Sequence, residues 1–276
     1  MIRLAVIVPT YNRPGALDRV LESLAEQDMP PAQVIVADDG SGPETAAIVA
    51  DWQWRMPCPL LHVWQPDEGF RLARARNKAV ASVDAHYLVF LDGDCMCFPD
   101  FVRQHLALAE EGRFIAGSRI LLGEVLTREV EFGAVRPQRW GWLPWLIARI
   151  HGRVNRLLPL LRLPGRRWRL TRSHRWQGAR GCNLGIWWQD YVAVNGCDES
   201  FEGWGHDDAE LVSRLMRRGV LRKEGRFAVP VLHLWHRESN RNNEAANRHR
   251  LDEVLNGSRP LRAERGLDSH TVDETG

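Results

Sequence analysis

The sequence predicts an α/β protein built on a mostly parallel sheet. Short apolar runs alternate with segments whose apolar residues recur at helical spacing, which is typical of parallel strands joined by right-handed crossover helices. Each of the first apolar runs also ends abruptly in a polar cluster. Because open α/β sheets bind ligands outside the carboxyl ends of their strands, these clusters predict a binding site along one edge of the sheet.

The first β-α-β unit occupies the amino terminus. Residues 4–8 form an apolar run, and residues 15–27 carry apolar side chains at helical spacing before the second run at residues 34–37. A second unit follows, with a strand predicted at residues 60–64 and a helix at residues 71–82. No Gly-x-Gly-x-x-Gly opens the first helix, so the dinucleotide-binding form of the fold has no support, and no phosphate-cradling Gly-x-x-x-x-Gly-Lys loop occurs either.

The next apolar run, residues 88–91, ends in two carboxylates one residue apart, Asp92 and Asp94. Gly93 between them permits a sharp turn at the strand end. Neighbouring carboxylates are costly unless a cation neutralises them, and Mg²⁺ or Mn²⁺ is bound by one or two carboxylates together with substrate phosphates. The pair therefore predicts a metal–diphosphate site. Taken alone, it could equally be an acidic turn without a ligand.

In their order along the chain, these clusters resemble the nucleotide-sugar motifs of the family 2 glycosyltransferases. The motifs that carry the resemblance are residues 9–13, 38–41, 69–77 and 92–94. Residues 201–211 also resemble the Trp-Gly-acid-Asp signature of the galactosyltransferase carboxyl-terminal module of chondroitin-polymerase-like enzymes. The resemblance implies a GT-A fold and transfer of a sugar from a nucleoside diphosphate donor, most often UDP-linked, to an acceptor hydroxyl.

The resemblance also implies a role for each motif. Thr10, Tyr11, one of Asp38 and Asp39, and Arg71 would hold the base and ribose. Asp92 would lie near the ribose, and Asp94 would coordinate a divalent metal ion, Mn²⁺ or Mg²⁺, that bridges the diphosphate. For each motif alone, an ordinary loop or capped turn is the alternative. The complete donor-binding prediction is Pro9, Thr10, Tyr11, Arg13, Asp38, Asp39, Arg71, Asn77, Asp92, Gly93 and Trp204.

The catalytic base is predicted in the pair Asp207 and Asp208. Residues 209–217 read as a helix, so both acids lie at its amino-terminal end, where negative charge is favoured. By the resemblance, Asp208 is the base and Asp207 orients hydroxyl groups; a simple helix cap is the alternative. Trp204, between two glycines, offers an apolar platform for a sugar ring.

Two histidines complete the metal prediction. His233 and His236 follow a strand-like stretch at residues 227–232, and related enzymes place a metal-ligand histidine after the acid cluster. Neutral imidazole suits Mn²⁺ better than Mg²⁺, and His233 is the predicted ligand with His236 as its substitute. A structural zinc site is not expected, because the five cysteines form no Cys-x-x-Cys pair.

The charge distribution is strongly asymmetric. Residues 132–189 contain no acid, twelve arginines and seven of the twelve tryptophans, although the net charge of the chain is only +2. Within this stretch, apolar residues from 143 to 161 follow helical spacing, with Arg149, Arg153 and Arg156 on another face. A basic amphipathic helix with tryptophans predicts an element that lies in a membrane interface. The alternative is an insert over the acceptor cleft, with its arginines facing an anionic glycan or water.

Composition is that of a globular protein, with 44% apolar and 26% charged residues. No cleavable signal or bilayer-spanning segment is recognised, so we expect a reducing, cytoplasmic location, with peripheral contact at the inner face of the membrane. Four segments are predicted: a nucleotide-sugar-binding half (1–125), a basic Trp-rich insert (126–176), an acceptor and catalytic half (177–240), and a carboxyl-terminal part (241–276) with a helix at 244–255 and a loose tail from about 258.

These observations predict an inverting, metal-dependent glycosyltransferase of surface polysaccharide or lipopolysaccharide synthesis. Its partners would be a nucleotide-sugar donor and a glycan or lipid-linked saccharide acceptor, with no nucleic acid. A retaining transferase or a nucleotidyltransferase on the same fold is the alternative among enzymes. A non-catalytic glycan or nucleic-acid binder that uses the Arg/Trp stretch is the other alternative, but it would not need Asp94 or Asp208.

Overall fold

A computed structural model describes residues 1–237 and 241–270, which form two sheets with helices on both faces of the larger one. The strands are β1 (Leu4–Thr10), β2 (Gln33–Asp38), β3 (Leu60–Trp64), β4 (Tyr87–Phe90), β5 (Cys95–Cys97), β6 (Arg113–Ala116), β7 (Ser118–Leu121), β8 (Leu184–Trp187), β9 (Leu221–Glu224) and β10 (Pro230–His233). The larger sheet has the order β3-β2-β1-β4-β8-β6-β9, and the smaller one has the order β5-β10-β7.

The helices cover the two faces of the larger sheet and build a separate apolar core on each. They are α1 (Pro14–Ala25), α2 (Pro43–Arg55), α3 (Leu72–Ala81), α4 (Phe101–Leu108), α5 (Glu124–Glu131), α6 (Trp142–Ile150), α7 (Trp188–Ala193), α8 (Asp207–Arg217) and α9 (Glu244–Asn256). Leu17 and Leu21 of α1 belong to the core on one face, whereas Ala79 of α3 and Leu215 of α8 belong to the core on the other.

The amino-terminal half of the sheet confirms the predicted parallel arrangement. β1 pairs in parallel with both β2 and β4, and β2 pairs in parallel with β3. Every residue of β1, β2 and β4 is buried, which explains why these strands read as continuous apolar runs. Their carboxyl ends bring Thr10, Asp38 and the turn at Asp92 to one edge.

The other half of the sheet is antiparallel where β8 is inserted. β8 pairs antiparallel with β4 on one side and with β6 on the other, and β9 then pairs in parallel with β6. One sheet therefore runs through both the predicted nucleotide-sugar half and the predicted acceptor half. The smaller sheet joins β10 to β5 and β7, and it carries His233 to the end of the Asp92 turn.

The prediction of one helical stripe from residue 143 to 161 is wrong beyond residue 150. Helix α6 ends at Ile150, and Gly152 follows in the left-handed region with a φ of 67°. The amide of Arg153 donates back to the carbonyl of Ala148, which is a Schellman-type helix end. The chain then reverses, and Val154 bridges to Leu122 beside β7. Within the described ranges, no helix combines the length and apolarity needed to cross a membrane.

The tail, predicted from about residue 258 to be mobile or loosely docked, is packed onto the protein as far as residue 270. The amide of Ala263 donates to the carbonyl of Val194 at 3.0 Å, and the amide of Leu267 donates to the carbonyl of Asn195 at 3.0 Å. The side chain of Leu267 is buried in the core that contains Val194. The carboxyl-terminal segment is thus packed onto the loop after α7. Residues 271–276 of the predicted tail lie outside the described residues.

Candidate active site

A single buried arginine holds together three of the acids at the edge of the sheet. The guanidinium of Arg76, on α3, lies 2.9 Å from Asp208, 3.1 Å from Asp207 and 3.4 Å from Asp92. Its side chain is only 3% exposed. Asp92 follows β4, whereas Asp207 and Asp208 begin α8, so Arg76 connects the two predicted halves of the site.

The electrostatics of this cluster favour uptake of a proton. Burial raises the pKa of Asp207, and the neighbouring charge of Asp208 raises it further against the opposing effect of Arg76. Burial also raises the pKa of Asp92. Burial alone would lower the pKa of Arg76, but the three carboxylates raise it well above its ordinary value. Three carboxylates thus share one permanently charged guanidinium.

The two candidate catalytic acids stand in the first turn of α8, as the sequence predicts. The preceding residues Gly205 and His206 both have positive φ, of 111° and 69°, so the chain turns sharply into the helix. The Asp208 side chain is 29% exposed and the Asp207 side chain 16%. Asp208 is therefore the more accessible of the two to an acceptor hydroxyl.

The residues around Asp94 form a group of oxygen and nitrogen ligands suited to a divalent metal. His236 Nε2 lies 3.4 Å and His233 Nε2 3.7 Å from carboxylate oxygens of Asp94. Antiparallel pairing of β10 with β5 places His233 opposite Cys95. Asp94, Cys95 and His233 offer ligand atoms within 4.8 Å of one another. Carboxylate with imidazole is a donor set that fits Mn²⁺.

The ionisation of these groups agrees with that choice of ligands. Burial lowers the pKa of His233 to about 4, so its imidazole is neutral, which is the metal-binding form. Burial raises the pKa of the Cys95 thiol well above its ordinary value, and a protonated thiol is a poor ligand. Asp94 with His233 and His236 is the better set.

Arg13 supplies the positive charge next to Asp94. Its guanidinium donates to Asp94 at 2.9 Å, to Glu131 of α5 at 3.2 Å and to the carbonyl of Trp235 at 3.3 Å. Arg13, predicted as a donor-binding residue, thus lies at the candidate metal corner. Glu131 was not predicted, and nothing in the sequence near it indicates the contact.

The predicted nucleotide motif after β1 packs directly against the acidic turn. The amide of Gly93 donates to the carbonyl of Pro9 at 2.9 Å, and a Cβ at Gly93 would lie 2.6 Å from that oxygen. The position therefore requires glycine. The buried hydroxyl of Thr10 has no hydrogen-bond partner among the described atoms, which leaves it available to a ligand. The exposed Tyr11 donates its hydroxyl to Asp67 at 2.8 Å.

The two acids after β2 have different environments. Asp38 is fully buried, with its carboxylate 2.8 Å from both His62 Nε2 and the amide of Ser41. Asp39 is 5% exposed and accepts from Gln65 at 2.6 Å and from the amide of Arg71 at 2.7 Å. Asp38 and Asp39 were the two alternatives for contact with the nucleotide base, and Asp39 is the one whose surface is accessible to a ligand.

Asn77 does not have the environment that its predicted donor-binding role requires. Its side chain is completely buried and donates to the Cys197 carbonyl and to Glu199, each at 2.9 Å. Its oxygen accepts from the Tyr191 hydroxyl and from the Cys197 amide. All of its hydrogen-bonding capacity is used inside the protein, so Asn77 joins α3 to the loop after α7.

Trp204 is a partly exposed indole on a loop attached to both neighbouring segments. The amide of Gly203 donates to the carbonyl of Phe70, just before α3, at 2.9 Å. The side chain of Asn243 donates to the carbonyl of Glu202 at 3.1 Å, and the Arg241 guanidinium lies 4.8 Å from the Trp204 ring centre. The ring is 37% exposed and lies close to the Arg241 guanidinium.

Two family models match the chain in the regions that supply this geometry. The glycosyl transferase family 2 model matches residues 5–144, which include the acidic turn and all of the motifs before it. The chain belongs to glycosyl transferase family 2. A second model, described as the N-terminal domain of galactosyltransferase, matches residues 169–229 of this family 2 protein, which include Asp207 and Asp208.

Curated relatives of this family 2 protein include enzymes with different products. It is 34% identical over 235 residues to the validoxylamine A glucosyltransferase of Streptomyces hygroscopicus subsp. limoneus, covering 79% of this chain and 48% of the relative. It is 26% identical over 232 residues to the chondroitin synthase of Pasteurella multocida (strain Pm70), covering 79% of this chain and 23% of the relative. The chain thus spans about half the length of the first relative and less of the second.

Solved structures confirm the predicted GT-A fold. Staphylococcus aureus TarS 1-349 in complex with UDP matches with a TM-score of 0.61 at 13% identity, covering 98% of this chain and 68% of TarS 1-349. The mannosyltransferase PcManGT of Pyrobaculum calidifontis, in complex with GDP-Man and Mn²⁺, matches with a TM-score of 0.57 at 18% identity, covering 86% and 58%. The family 2 assignment and the fold therefore agree.

Sequence reasoning about this family 2 protein missed Arg76 and Gly181. Arg76 lies within the 69–77 motif, but no role was predicted for it. A signal did exist: Ala73 and Ala79, three positions before and after it, are buried on α3, so Arg76 is on the apolar face of the helix. A buried arginine requires acidic partners. Gly181 carries no comparable signal, because its importance depends on contacts across the fold.

Gly181 leaves room for the catalytic cluster, and an alanine there should disturb it. A Cβ at this position would lie 2.1 Å from Asp208 Oδ1 and 2.3 Å from an Arg76 nitrogen. We expect Gly181→Ala to lower kcat by about tenfold or more, because small displacements of catalytic groups are costly. Gly141→Ala is the control, since nothing lies within 4 Å of its added Cβ. Equal kcat values for the two variants would contradict the close packing of Gly181.

Proposed function

We propose that this protein is an inverting, metal-dependent glycosyltransferase. It moves a sugar from a nucleoside diphosphate sugar, with UDP as the proposed nucleotide, to an acceptor hydroxyl. The observation that carries the proposal is the Arg76 cluster, which joins a candidate base at the start of α8 to the acidic turn after β4. The UDP complex of TarS and the GDP-Man and Mn²⁺ complex of PcManGT support a nucleotide donor and a metal.

The donor would bind along the ends of β1, β2 and β4. Thr10, Tyr11 and Asp39 are proposed to hold the base and ribose, with Arg71 organising the loop beside Asp39. Asp94, His233 and His236 would hold Mn²⁺, or Mg²⁺ in its place. The ion, when bound, supplies positive charge that favours departure of the diphosphate. Arg13 would add a fixed positive charge at the same corner.

The transfer itself would proceed by direct displacement. Asp208 takes the proton of the acceptor hydroxyl as that oxygen forms a bond to the anomeric carbon. The bond from the anomeric carbon to the diphosphate oxygen breaks, and its electron pair leaves with the nucleoside diphosphate. Asp207 orients hydroxyl groups, and Trp204 provides an apolar face for the sugar. Attack opposite the leaving group inverts the anomeric configuration.

A donor screen with stereochemical analysis tests this function. Release of nucleoside diphosphate from UDP- and GDP-sugars is measured with Mn²⁺ and candidate acceptors, and the anomeric configuration of the product is read by NMR. We expect turnover with at least one UDP-sugar and a product of inverted configuration. A product of retained configuration would exclude direct displacement, even if transfer itself is observed.

We further propose a role in surface polysaccharide or lipopolysaccharide synthesis, on a glycan or lipid-linked acceptor at the cytoplasmic face of the membrane. Helix α6 supports contact with lipid, because the buried Trp145 and Ala148 anchor one side of it while its large apolar side chains on the other side are exposed. Those exposed side chains are Trp142, Leu143, Leu146, Ile147 and Ile150.

Two of the three arginines predicted to attract anionic lipid are already engaged inside the protein. Arg153 forms an ion pair with Glu129, and Arg156 donates to the carbonyl of Arg119. Of the three arginines predicted to attract anionic lipid, Arg149 on α6 alone has no recorded partner among the described residues. Burial of the apolar side chains is therefore the main proposed source of affinity.

Sedimentation with anionic lipid vesicles tests the role of α6. We expect Ile150→Glu to lower the bound fraction by about tenfold or more, because burying an isoleucine side chain contributes about 1.5–3 kcal/mol and a carboxylate opposes burial. Trp54→Glu is the matched control, since Trp54 of α2 is 93% exposed and Ile150 is 72% exposed. An equal loss of the bound fraction in both variants, or no sedimentation of the wild type with vesicles, would contradict the proposed lipid contact.

A further inference from the structure

Four arginines are carried by segments that meet where the insert returns to the sheet. They come from three separate segments: Arg119 lies in β7, Arg156 and Arg180 lie in and just after the insert, and Arg226 follows β9. The amide of Gly225, which precedes Arg226, donates to the carbonyl of Ala116 at 2.8 Å, and the amide of Gly117 donates to the carbonyl of Asn183, three residues after Arg180, at 3.0 Å. The segments that carry Arg226 and Arg180 therefore meet the chain just before Arg119. After burial, the positive charges of Arg119, Arg180 and Arg226 also lower the pKa of Arg156.

The cluster is fixed in place by backbone contacts. The Arg156 guanidinium donates twice to the carbonyl of Arg119, at 2.7 Å and 3.2 Å. The neighbouring Asn155 exchanges two hydrogen bonds with the backbone of Leu121, at 3.0 Å and 3.1 Å. The returning insert is thus attached to β7 like an additional strand, which holds its arginines at a defined position.

This position adjoins both ends of the proposed reaction centre. Arg180 directly precedes Gly181, whose α-carbon packs against Asp208 and Arg76. Arg119 pairs in register with Val231 of β10, two residues before His233. Arg180 therefore adjoins the candidate base along the chain, and Arg119 lies on the strand beside the one that ends in His233.

Only part of the positive charge of the cluster is paired with a described acid. Glu224 is the acid beside Arg226, at 3.3 Å, but it is fully buried and already lies 3.1 Å from Arg222. Within the described ranges, the side chains of Arg119 and Arg180 have no recorded hydrogen bond or ion pair. Guanidinium groups held together without counter-charges form a site for carboxylate or phosphate, which they bind in a bidentate manner.

We propose that the cluster of Arg119, Arg156, Arg180 and Arg226 is the binding subsite for an anionic group of the acceptor. The acceptor class is then a glycan that carries a carboxylate or a phosphate near the hydroxyl to be glycosylated. This inference rests on the proposed glycosyltransferase function. The donor diphosphate has its own partners in the metal corner and Arg13, whereas Arg180 adjoins the base, so the cluster belongs to the acceptor side.

The experiment compares polymers that share one backbone and differ only in charge. Binding of dextran, carboxymethyl-dextran and phosphorylated dextran to the full chain is measured by affinity electrophoresis, with UDP and Mn²⁺ present and at fixed salt. We expect at least one charged dextran to bind about tenfold or more tightly than neutral dextran, since hydrogen bonds between charged groups are strong. The preferred derivative distinguishes a carboxylate from a phosphate as the acceptor group.

Variants separate the cluster from the overall charge of the insert. Arg119→Gln/Arg180→Gln should lose this preference for charged dextran, and Arg119→Lys/Arg180→Lys should keep part of it because charge remains without the bidentate geometry. The control is Arg149→Gln/Arg167→Gln, which removes the same charge from exposed positions of the insert and should bind like the wild type. Unchanged UDP affinity in every variant shows that the protein is folded and that the donor site is intact.

Three results would overturn the subsite. They are equal binding of neutral and charged dextrans by the wild type, equal losses in the cluster and control variants, and a loss of UDP affinity in the cluster variant as large as its loss of dextran affinity. The last would assign the arginines to the donor diphosphate. Failure of the proposed function is distinct, because it would appear as no transfer from any nucleotide sugar while binding of the charged dextran persists.

Discussion

Replacing Asp208 by asparagine should lower kcat by about 100-fold or more, the scale of general-base catalysis, while UDP affinity stays near the wild-type value. Asparagine has nearly the shape of aspartate and can still accept the hydrogen bond that Arg76 donates to Asp208 at 2.9 Å. It cannot take the proton of an acceptor hydroxyl. Initial rates at saturating donor and acceptor, with calorimetric UDP titration, separate these two effects.

The control is Asp190→Asn, which removes an acid from the first turn of α7. A fall in thermal stability of similar size in both variants, with kcat unaltered, would mean that Asp208 only stabilises the start of α8. Asp207→Asn is the informative second variant. If Asp207 orients hydroxyl groups, its loss should raise KM as well as lower kcat.

Asp94→Asn should lower turnover, raise the Mn²⁺ concentration needed for half-maximal turnover and weaken Mn²⁺ binding in the presence of UDP by about tenfold or more. The carboxylate stands within 3.7 Å of both His233 and His236, so it is the centre of the candidate ligand set. Mn²⁺ binding is read by electron paramagnetic resonance, independently of catalysis. In the wild type, EDTA should stop turnover and added Mn²⁺ should restore it.

Histidine variants identify the remaining ligand. The more buried His233 should give the larger loss of Mn²⁺ affinity when changed to alanine, and His236→Ala the smaller one. His249→Ala, at an exposed position on α9, is the matched control. Undiminished turnover of the wild type in excess chelator would show that Arg13 and other fixed charges suffice for the diphosphate, without a metal.

The parts of the fold that the sequence predicts are those whose pattern is local. β1, β2 and β4 are buried on both faces and therefore read as uninterrupted apolar runs. The local sequence also predicts α8, because its acids come first and its apolar residues follow at helical spacing. α2 was not predicted, because only Thr45, Val49 and Trp52 of its thirteen residues are buried.

The parts that escape prediction depend on contacts between distant residues. β8 has four residues, and its antiparallel place beside β4 follows from pairing across about ninety residues of chain. Helical spacing continued past Gly152, but a left-handed glycine ended the helix there. Asn77 belongs to a motif of the family, yet its bonds to Cys197 and Glu199 turn it inward. Motif order thus predicted where the candidate site lies, whereas tertiary contacts decide which residues of the motifs face it.

The shared guanidinium of Arg76 makes the two sides of the reaction centre thermodynamically dependent on each other. When Asp208 receives a proton, Arg76 loses one charged partner and its attraction concentrates on Asp207 and Asp92. Binding on the nucleotide side that draws on Asp92 must in turn change, by the same free energy, how strongly Arg76 holds the acids of α8, because linkage between two equilibria is reciprocal. Arg76, which belongs to neither proposed ligand set, would thus connect the proposed base to the presence of the donor.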